Sequence, residues 1–406
     1  MTILPISPLA PKSFPQLPNI KGVLAATHSL GLYKTVRDDL LLVHFPNGAN
    51  VAGALTKSTT RSCDVNWCDE ALKAGRAKAL LVNAGNSNAF TGEAGIAKNK
   101  ATITKAKVLA HCNDESIFVS ATGVIGVPLP ASIIADKLDL IWDKLDAANF
   151  EQMARTISTT DTFFKGAGKS IALDGKTINI AGIAKGSGMI APNMATMLVY
   201  IFTDAAITSN ALQTIVSDHV EDTFNAITVD SDTSTSDTLL VFATGAAGNE
   251  EIQTENQIFS DALHEIMHDL ALQVVKDGEG AQKLIEVKVV GALSTQSAKK
   301  IAMAIANSPL VKTAIAGGDA NWGRVAMAIG KSEEPINEGK LSIEFCGQTV
   351  AKLGGAAEYD ESLINEKMAG HFVDIAVDIG MGDGEFTAWT CDLTHGYISI
   401  NGDYRS

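Results

Sequence analysis

Cysteine is scarce in this 406-residue chain, and the five present (Cys63, Cys68, Cys112, Cys346 and Cys391) are odd in number and scattered. They contain no Cys-x-x-Cys pair, which argues against a disulfide framework or a cysteine-held zinc cluster and for free thiols in a reducing compartment. Positive charge is also short, with 32 Lys and Arg against 46 Asp and Glu and a net charge of −14. Nucleic-acid phosphates need a basic face, so that class of partner is excluded. No apolar run approaches the ~20 residues of a membrane helix. Met1 to Ile20 is broken by prolines and has no continuous apolar stretch, so it does not read as a signal peptide. A soluble, cytoplasmic protein is expected.

What is present is enough to fold on a large scale. With 46% hydrophobic residues the chain can bury a sizeable core and is expected to form more than one domain. Strands are predicted at Leu40–His44, Ala79–Asn83, Ile117–Ser120, Met197–Phe202 and Leu239–Ala243, and helices at Trp67–Gly75, Lys98–His111, Asn210–Phe224 and Ile258–Lys276. Ile171 to Ile180 alternates around Asp174-Gly175, a hairpin signal. From about residue 283 the character changes to half-exposed alternating strands (Ile285–Val290, Leu341–Val350) around a helix at Thr295–Asn307, which suggests a main domain over 1–282 and a smaller one over 283–406. The fold class is mixed α/β.

The run from Lys185 to Tyr200 carries the most chemistry. Gly186, Gly188 and Pro192 suit a tight, unusual backbone path, and Ala195 places no steric shield before Thr196, which opens an apolar strand. A chain that cuts itself before Thr196 has this layout. The freed threonine then acts as nucleophile with its own α-amine, of pKa near ~8, as base. A glycine-rich turn entering a buried strand is the plainer alternative.

Four further stretches stand in order with that run: Val82-Asn83-Ala84-Gly85-Asn86-Ser87-Asn88-Ala89-Phe90-Thr91-Gly92, Thr122 to Pro128, Thr159-Thr160-Asp161-Thr162 and Asp277-Gly278-Glu279-Gly280-Ala281. Gly317 to Arg324 and the closing Asn401-Gly402-Asp403-Tyr404-Arg405-Ser406 follow. Over most of its length the chain thereby resembles the ornithine acetyltransferase (glutamate N-acetyltransferase) family of arginine biosynthesis. The resemblance implies a layered α/β/β/α sandwich with a smaller C-terminal α/β domain, and cleavage between Ala195 and Thr196 into chains 1–195 and 196–406. It implies Thr196 as nucleophile, Thr122 and Gly123 as the oxyanion hole, and Thr159, Lys185, Thr196, Glu279, Asn401 and Ser406 as substrate contacts.

The implied reaction moves acetyl from N2-acetyl-L-ornithine to L-glutamate through an acetyl-threonine. It needs no cofactor, and acetyl-CoA enters as co-substrate only in bifunctional members. The resemblance also implies pairing of the two cleaved halves into an α2β2 heterotetramer. Taken singly, Thr122-Gly123 also reads as a strand-exit turn, and each substrate contact as a solvated residue or cap. Gln282 and Ser231 stand where the family commonly has threonine and glycine.

Three motifs point elsewhere. His264-Glu265-Ile266-Met267-His268 matches a zinc-peptidase helix, but no third ligand follows at the required spacing, so no metal is expected. Gly166-Ala167-Gly168-Lys169-Ser170 imitates a phosphate loop, but Phe163 replaces its first glycine and a hairpin rather than a helix follows. Asp230-Ser231-Asp232-Thr233-Ser234 resembles a phosphatase or calcium start without the loop glycine. A self-processing threonine aminopeptidase or amidase is the main alternative function; a zinc peptidase and a non-enzymatic scaffold are the others.

Overall fold

The computed structural model describes residues 5–191 and 197–402. Nine strands share the first sheet: β1 (Leu24–His28), β2 (Leu40–Leu55), β3 (Arg76–Asn86), β4 (Ile117–Val124), β5 (Asp146–Ala147), β6 (Lys165–Leu173), β7 (Lys176–Lys185), β8 (Leu198–Thr203) and β9 (Thr238–Ala243). Their order is β4-β3-β2-β9-β8-β7-β6, with β1 on β2 and β5 on β1. Every residue of β8 and β9 is buried, the pattern of strands covered on both faces. The hairpin expected at Asp174-Gly175 joins β6 to β7, with both residues at positive φ as a type I′ turn needs.

This sheet is folded over on itself at β2. Leu40–His44 pairs with β1 and β3, the register then shifts through Phe45 to Gly48, and Asn50–Leu55 pairs with β9. In a flat sheet β4 and β9 would lie three spacings, or ~14 Å, apart. Yet the Phe118 ring of β4 meets the Phe242 ring of β9 edge-on at 6.0 Å. Leu41, Leu80 and Phe118 from one half share a core with Tyr200, Phe202 and Phe242 from the other.

Helices close the outer faces. On one side α2 (Gly92–Ala110) and α3 (Leu138–Trp142) pack on Leu42, Leu81 and Val119. On the other α5 (Ser209–Val220) and α6 (Gln257–Lys276) pack on Val199, Ile201 and Val241. The result is the α/β/β/α layering that the resemblance implied. Helices α1 (Cys63–Leu72) and α4 (Phe150–Ile157) contribute to the central core. Ser62, Asn149, Thr208 and Asn256 each accept a first-turn amide and fix where a helix starts.

A second, six-stranded sheet has the order β13-β12-β11-β14-β10-β15. It comprises β10 (Leu284–Ala292), β11 (Ser342–Phe345), β12 (Gln348–Lys352), β13 (Gly355–Ala356), β14 (Phe372–Asp378) and β15 (Gly384–Cys391). With α7 (Thr295–Ala306), α8 (Pro309–Ala316), α9 (Trp322–Lys331) and α10 (Glu361–Met368) it encloses a separate core that includes Ile301, Val325, Ile343 and Val377. A last helix, α11 (His395–Gly402), returns to the end of α6, where Asn401 bonds Glu279.

Two local expectations are corrected. Tyr397 to Ile400 reads as a strand by alternation but lies within α11, because four residues are too few to separate the two periods. Thr122-Gly123 lies not in a turn after a strand but inside β4, which continues to Val124.

Candidate active site

Thr122 and Gly123 owe their position to an irregular stretch of parallel pairing in which Gly123 faces Gly85 of β3. Gly123 has φ 131°, and a β-carbon there would come within 2.3 Å of the Gly85 carbonyl carbon. Only glycine fits. The facing Asn83–Asn88 stretch is tied by side chains: Asn83 donates to the Asn86 carbonyl at 2.9 Å, and Asn88 donates to Asp64 at 2.7 Å. Buried Lys98 completes that network through Asn83 at 3.1 Å.

Lys185 ends β7, and its ammonium donates to the Thr122 hydroxyl oxygen at 3.2 Å. An ammonium has donors only, so the Thr122 proton is left to point elsewhere. Burial pushes the Lys185 pKa down. Lys165 adds to that push, while Asp161, Glu279 and Asp237 oppose it.

Behind this pair lies a buried ion triad. Lys165 reaches Asp161 and Asp277 at 2.6 Å each, and all three side chains are fully buried. Asp161 also accepts the backbone amides of Gly186 at 2.8 Å and Thr159 at 2.9 Å. Burial disfavours its charge, but Lys165, Lys185 and these bonds outweigh that and hold its pKa well below the usual range. Asp277 caps the end of α6 and accepts from the amide of Thr162 at 2.9 Å. The triad thus joins the Thr159–Thr162 turn, the Lys185–Gly186 corner and the end of α6.

Asp230 holds the loop beyond. Its carboxylate accepts the amides of Met189 at 2.6 Å and Ile190 at 2.8 Å. Thr233 donates to the Ala191 carbonyl, and beyond it the Thr238 amide donates to the Met197 carbonyl at 2.9 Å. The Asp230–Ser234 motif is therefore a loop anchor in this fold.

Glu279 follows α6, and its amide bonds the Ser187 carbonyl at 3.0 Å. Its carboxylate accepts from the Asn401 side chain at 2.8 Å, which docks α11. Burial raises its pKa, against the pull of its bonds from Asn401 and Thr160. Gly188 packs so closely that a β-carbon would lie 2.5 Å from this carboxyl.

Thr122, Gly123, Thr159, Lys185, Glu279 and Asn401 all line one cavity of about 390 Å³. Ala195, Thr196 and Ser406 lie outside the described residues; Met197, the next residue after Thr196, lines the cavity. By sequence Asp161 stands out only within the Thr159–Thr162 motif, and neither Lys165 nor Asp277 is singled out for the site; the four-residue spacing of Asp161 and Lys165 is the signal that points to the pair. The wall also includes Ser87 and Ser234 to Asp237.

The two remaining motifs fall elsewhere. Gly166–Ser170 lies within β6, and Lys169 pairs with Glu265, the residue a zinc peptidase would need as base. His264 bonds Asp222 at 3.1 Å. With His219 these form a group whose ligand atoms lie within 4.8 Å of one another, and none of them lines the cavity. No helix among the described residues is long and apolar enough to cross a membrane.

A folded-over sheet between helix layers, with a hydroxyl, an ammonium and a carboxylate converging on one cavity, defines a site suited to acyl or amino-acid chemistry. The ArgJ family model matches residues 24–406, and the chain belongs to the ArgJ family. It is 53% identical to the arginine biosynthesis bifunctional protein ArgJ of Zymomonas mobilis, over 99% of each chain. It is 51% identical to the protein of the same description from Ruegeria pomeroyi, over 100% of this chain and 99% of that one. A crystal structure described as the same bifunctional protein from Bacillus halodurans is 42% identical and covers 50% of this chain and 98% of its own, with a TM-score of 0.49.

Proposed function

We propose that this protein is a glutamate N-acetyltransferase that moves acetyl from N2-acetyl-L-ornithine to L-glutamate, with Thr196 as the nucleophile. Membership of the ArgJ family over nearly the whole chain supports the activity. The observation that carries the mechanism is the single cavity holding Thr122, Gly123, Lys185 and Glu279 beside Met197.

Maturation comes first. The Thr196 hydroxyl adds to the Ala195 carbonyl, the acyl group shifts from nitrogen to oxygen, and water hydrolyses the ester. This frees the Thr196 amine and leaves chains 1–195 and 196–406. In turnover that amine takes the hydroxyl proton as the oxygen attacks the acetyl carbonyl of N2-acetylornithine. The C–N bond breaks, and the proton leaves with ornithine. Glutamate then attacks the acetyl-threonine ester through its amine and restores the hydroxyl. The Thr122 hydroxyl and the Gly123 amide donate to the oxyanion in each step.

Lys185 receives a substrate carboxylate, and Glu279, oriented by Asn401, receives a substrate ammonium. Thr159 and Ser406 complete the contacts. The donor and product amides are similar in energy, so this cycle uses no cofactor or metal. Acetyl-CoA serves as a second donor for N-acetylglutamate synthesis, in keeping with the "bifunctional" description of the relatives. We also infer a division into domains 1–282 and 283–406, assembly as α2β2, and a cytoplasmic location.

Incubation with N2-acetylornithine, with and without glutamate, tests this reading. Ornithine release should depend on glutamate. Equal release in both reactions would make the protein a threonine amidase instead.

A further inference from the structure

One short loop joins the rim of the acyl cavity to a second, basic hollow. Ser234 to Asp237 line the acyl cavity. Thr56 is fastened to this wall twice, its amide to the Asp237 carbonyl at 3.1 Å and its hydroxyl to the Ser234 carbonyl at 3.0 Å. Ser62 is fastened to it by its amide, at 2.8 Å from the Thr235 carbonyl. Residues 57–61 therefore arch between two feet that stand on the cavity wall.

Lys57 and Arg61 are the residues next to those feet, so each Cα lies about 3.8 Å from a fastened one. With Ser58, Thr59 and Asn66 they line a hollow of about 530 Å³. Lys57 has no ion pair within 4.0 Å among the described residues, and Glu221, which feels its charge, is bound by Lys299 at 2.5 Å. Arg61 makes one exposed contact with Asp69 at 3.3 Å, which leaves most of its donor fork open.

Lys57 and Arg61 set a local positive charge in a chain whose net charge is −14. A polyanionic substrate is repelled by the protein as a whole and needs a local positive patch at the mouth of the site. N2-acetylornithine and glutamate carry no phosphate, and Lys185 already receives their carboxylate within the cavity. A nucleotide-linked thioester needs such a patch, because its acetyl end must enter the cavity while its phosphates remain outside.

We propose that Lys57 and Arg61 form an anchor for the phosphate groups of acetyl-CoA, which places its thioester at Thr196. The inference rests on the reading that acetyl-CoA is a second donor. In that step the thioester C–S bond breaks, a C–O bond forms at the Thr196 hydroxyl, and the hydroxyl proton leaves on the CoA thiol. Asn66 and the hydroxyls of Ser58 and Thr59 supply neutral donors to the same phosphates. The loop adds nothing to the ornithine half of the cycle.

The test compares the wild type with K57E/R61E and the milder K57Q/R61Q in three assays, after thermal melts confirm that the variants fold. The donors are acetyl-CoA, S-acetylpantetheine (which lacks the nucleotide and all phosphates) and N2-acetylornithine. Loss of two charge-assisted contacts should raise KM for acetyl-CoA about tenfold or more. Added salt should raise the wild-type KM for this donor as well. The KM values for the other two donors should stay within about twofold.

An unchanged KM for acetyl-CoA in variants of an enzyme that uses it would overturn the anchor alone. Equal rises for all three donors would show that the loop shapes the cavity, and would also overturn it. A wild type that turns over N2-acetylornithine but not acetyl-CoA would remove the second-donor reading and the anchor together.

Discussion

The Lys185 ammonium donates to the Thr122 hydroxyl oxygen at 3.2 Å, which links a residue assigned to substrate binding with one assigned to the oxyanion. With one lone pair engaged by the cation, the Thr122 proton is free to turn toward a developing negative charge, and the nearby cation makes that hydroxyl a better donor. Thr122→Ala should therefore lower kcat by about 10²–10³ with KM little changed, the cost of one lost oxyanion donor. Thr122→Ser, which keeps the hydroxyl, should recover most of the rate. Steady-state kinetics with both amino-acid substrates check this. A Thr122→Ala enzyme with wild-type kcat would remove Thr122 from the mechanism.

Gly123 is required by shape. Its φ of 131° and the 2.3 Å approach to Gly85 leave no room for a β-carbon, and the obstruction is backbone. Gly123→Ala should destabilise the fold by ~1–3 kcal/mol and displace Thr122. A thermal melt together with kcat measures both effects. An unshifted melting temperature would show that β3 and β4 separate more easily than this packing implies.

Much of this was legible in the sequence, and the reasons for the rest are physical. The buried strands around Leu240 and Ile201, the Asp174-Gly175 hairpin and the capped helices depend on neighbours a few residues away, and periodicity reports them. The fold-over at β2 brings Phe118 against Phe242 through pairings that no local pattern encodes. Likewise Asp277 joins Asp161 and Lys165 from more than 110 residues away. Asp161 and Asp230 act through backbone amides of the Lys185 loop, and a sequence names no acceptor for an amide. Lys185 was expected to wait for a carboxylate, but it is also engaged with Thr122.

Among the described residues, Lys165 is the sole cation bonded to the two buried carboxylates of its triad. Lys165→Met should leave both without their bonded cation and cost about 3–5 kcal/mol, read as a fall in denaturant midpoint. Asp161 has a depressed pKa, so its contribution is present above its ordinary value of 3.8 and is lost as pH falls through the lower folded value. The wild type should accordingly lose stability in that acid range, and the variant should lose less over the same interval. Equal pH slopes would count against the triad as the source.

Glu279 gives the opposite sign. Burial raises its folded pKa above 4.5, so the fold favours the neutral acid and the unliganded protein loses that preference as pH rises through the folded value. Binding a substrate ammonium needs the carboxylate. The acid side of kcat/KM for N2-acetylornithine should therefore hold two ionisations, that of the Thr196 amine near ~8 and a lower one above the ordinary carboxylate range. Glu279→Gln should remove the lower one, leaving the amine limb, and raise KM by roughly tenfold or more, as a charge-assisted bond becomes a neutral one. A profile that keeps both ionisations in Glu279→Gln would assign the lower one to another group.

In the proposed mechanism Thr196 is freed by cleavage and then carries the acetyl group. Mass measurement of the denatured enzyme, quenched after exposure to N2-acetylornithine without glutamate, tests both parts at once. The prediction is two fragments, 1–195 and 196–406, with one acetyl group on the second, located at Thr196 and removed by added glutamate. An active enzyme that gives a single uncut chain, or a 196–406 fragment that never gains an acetyl group, would contradict it.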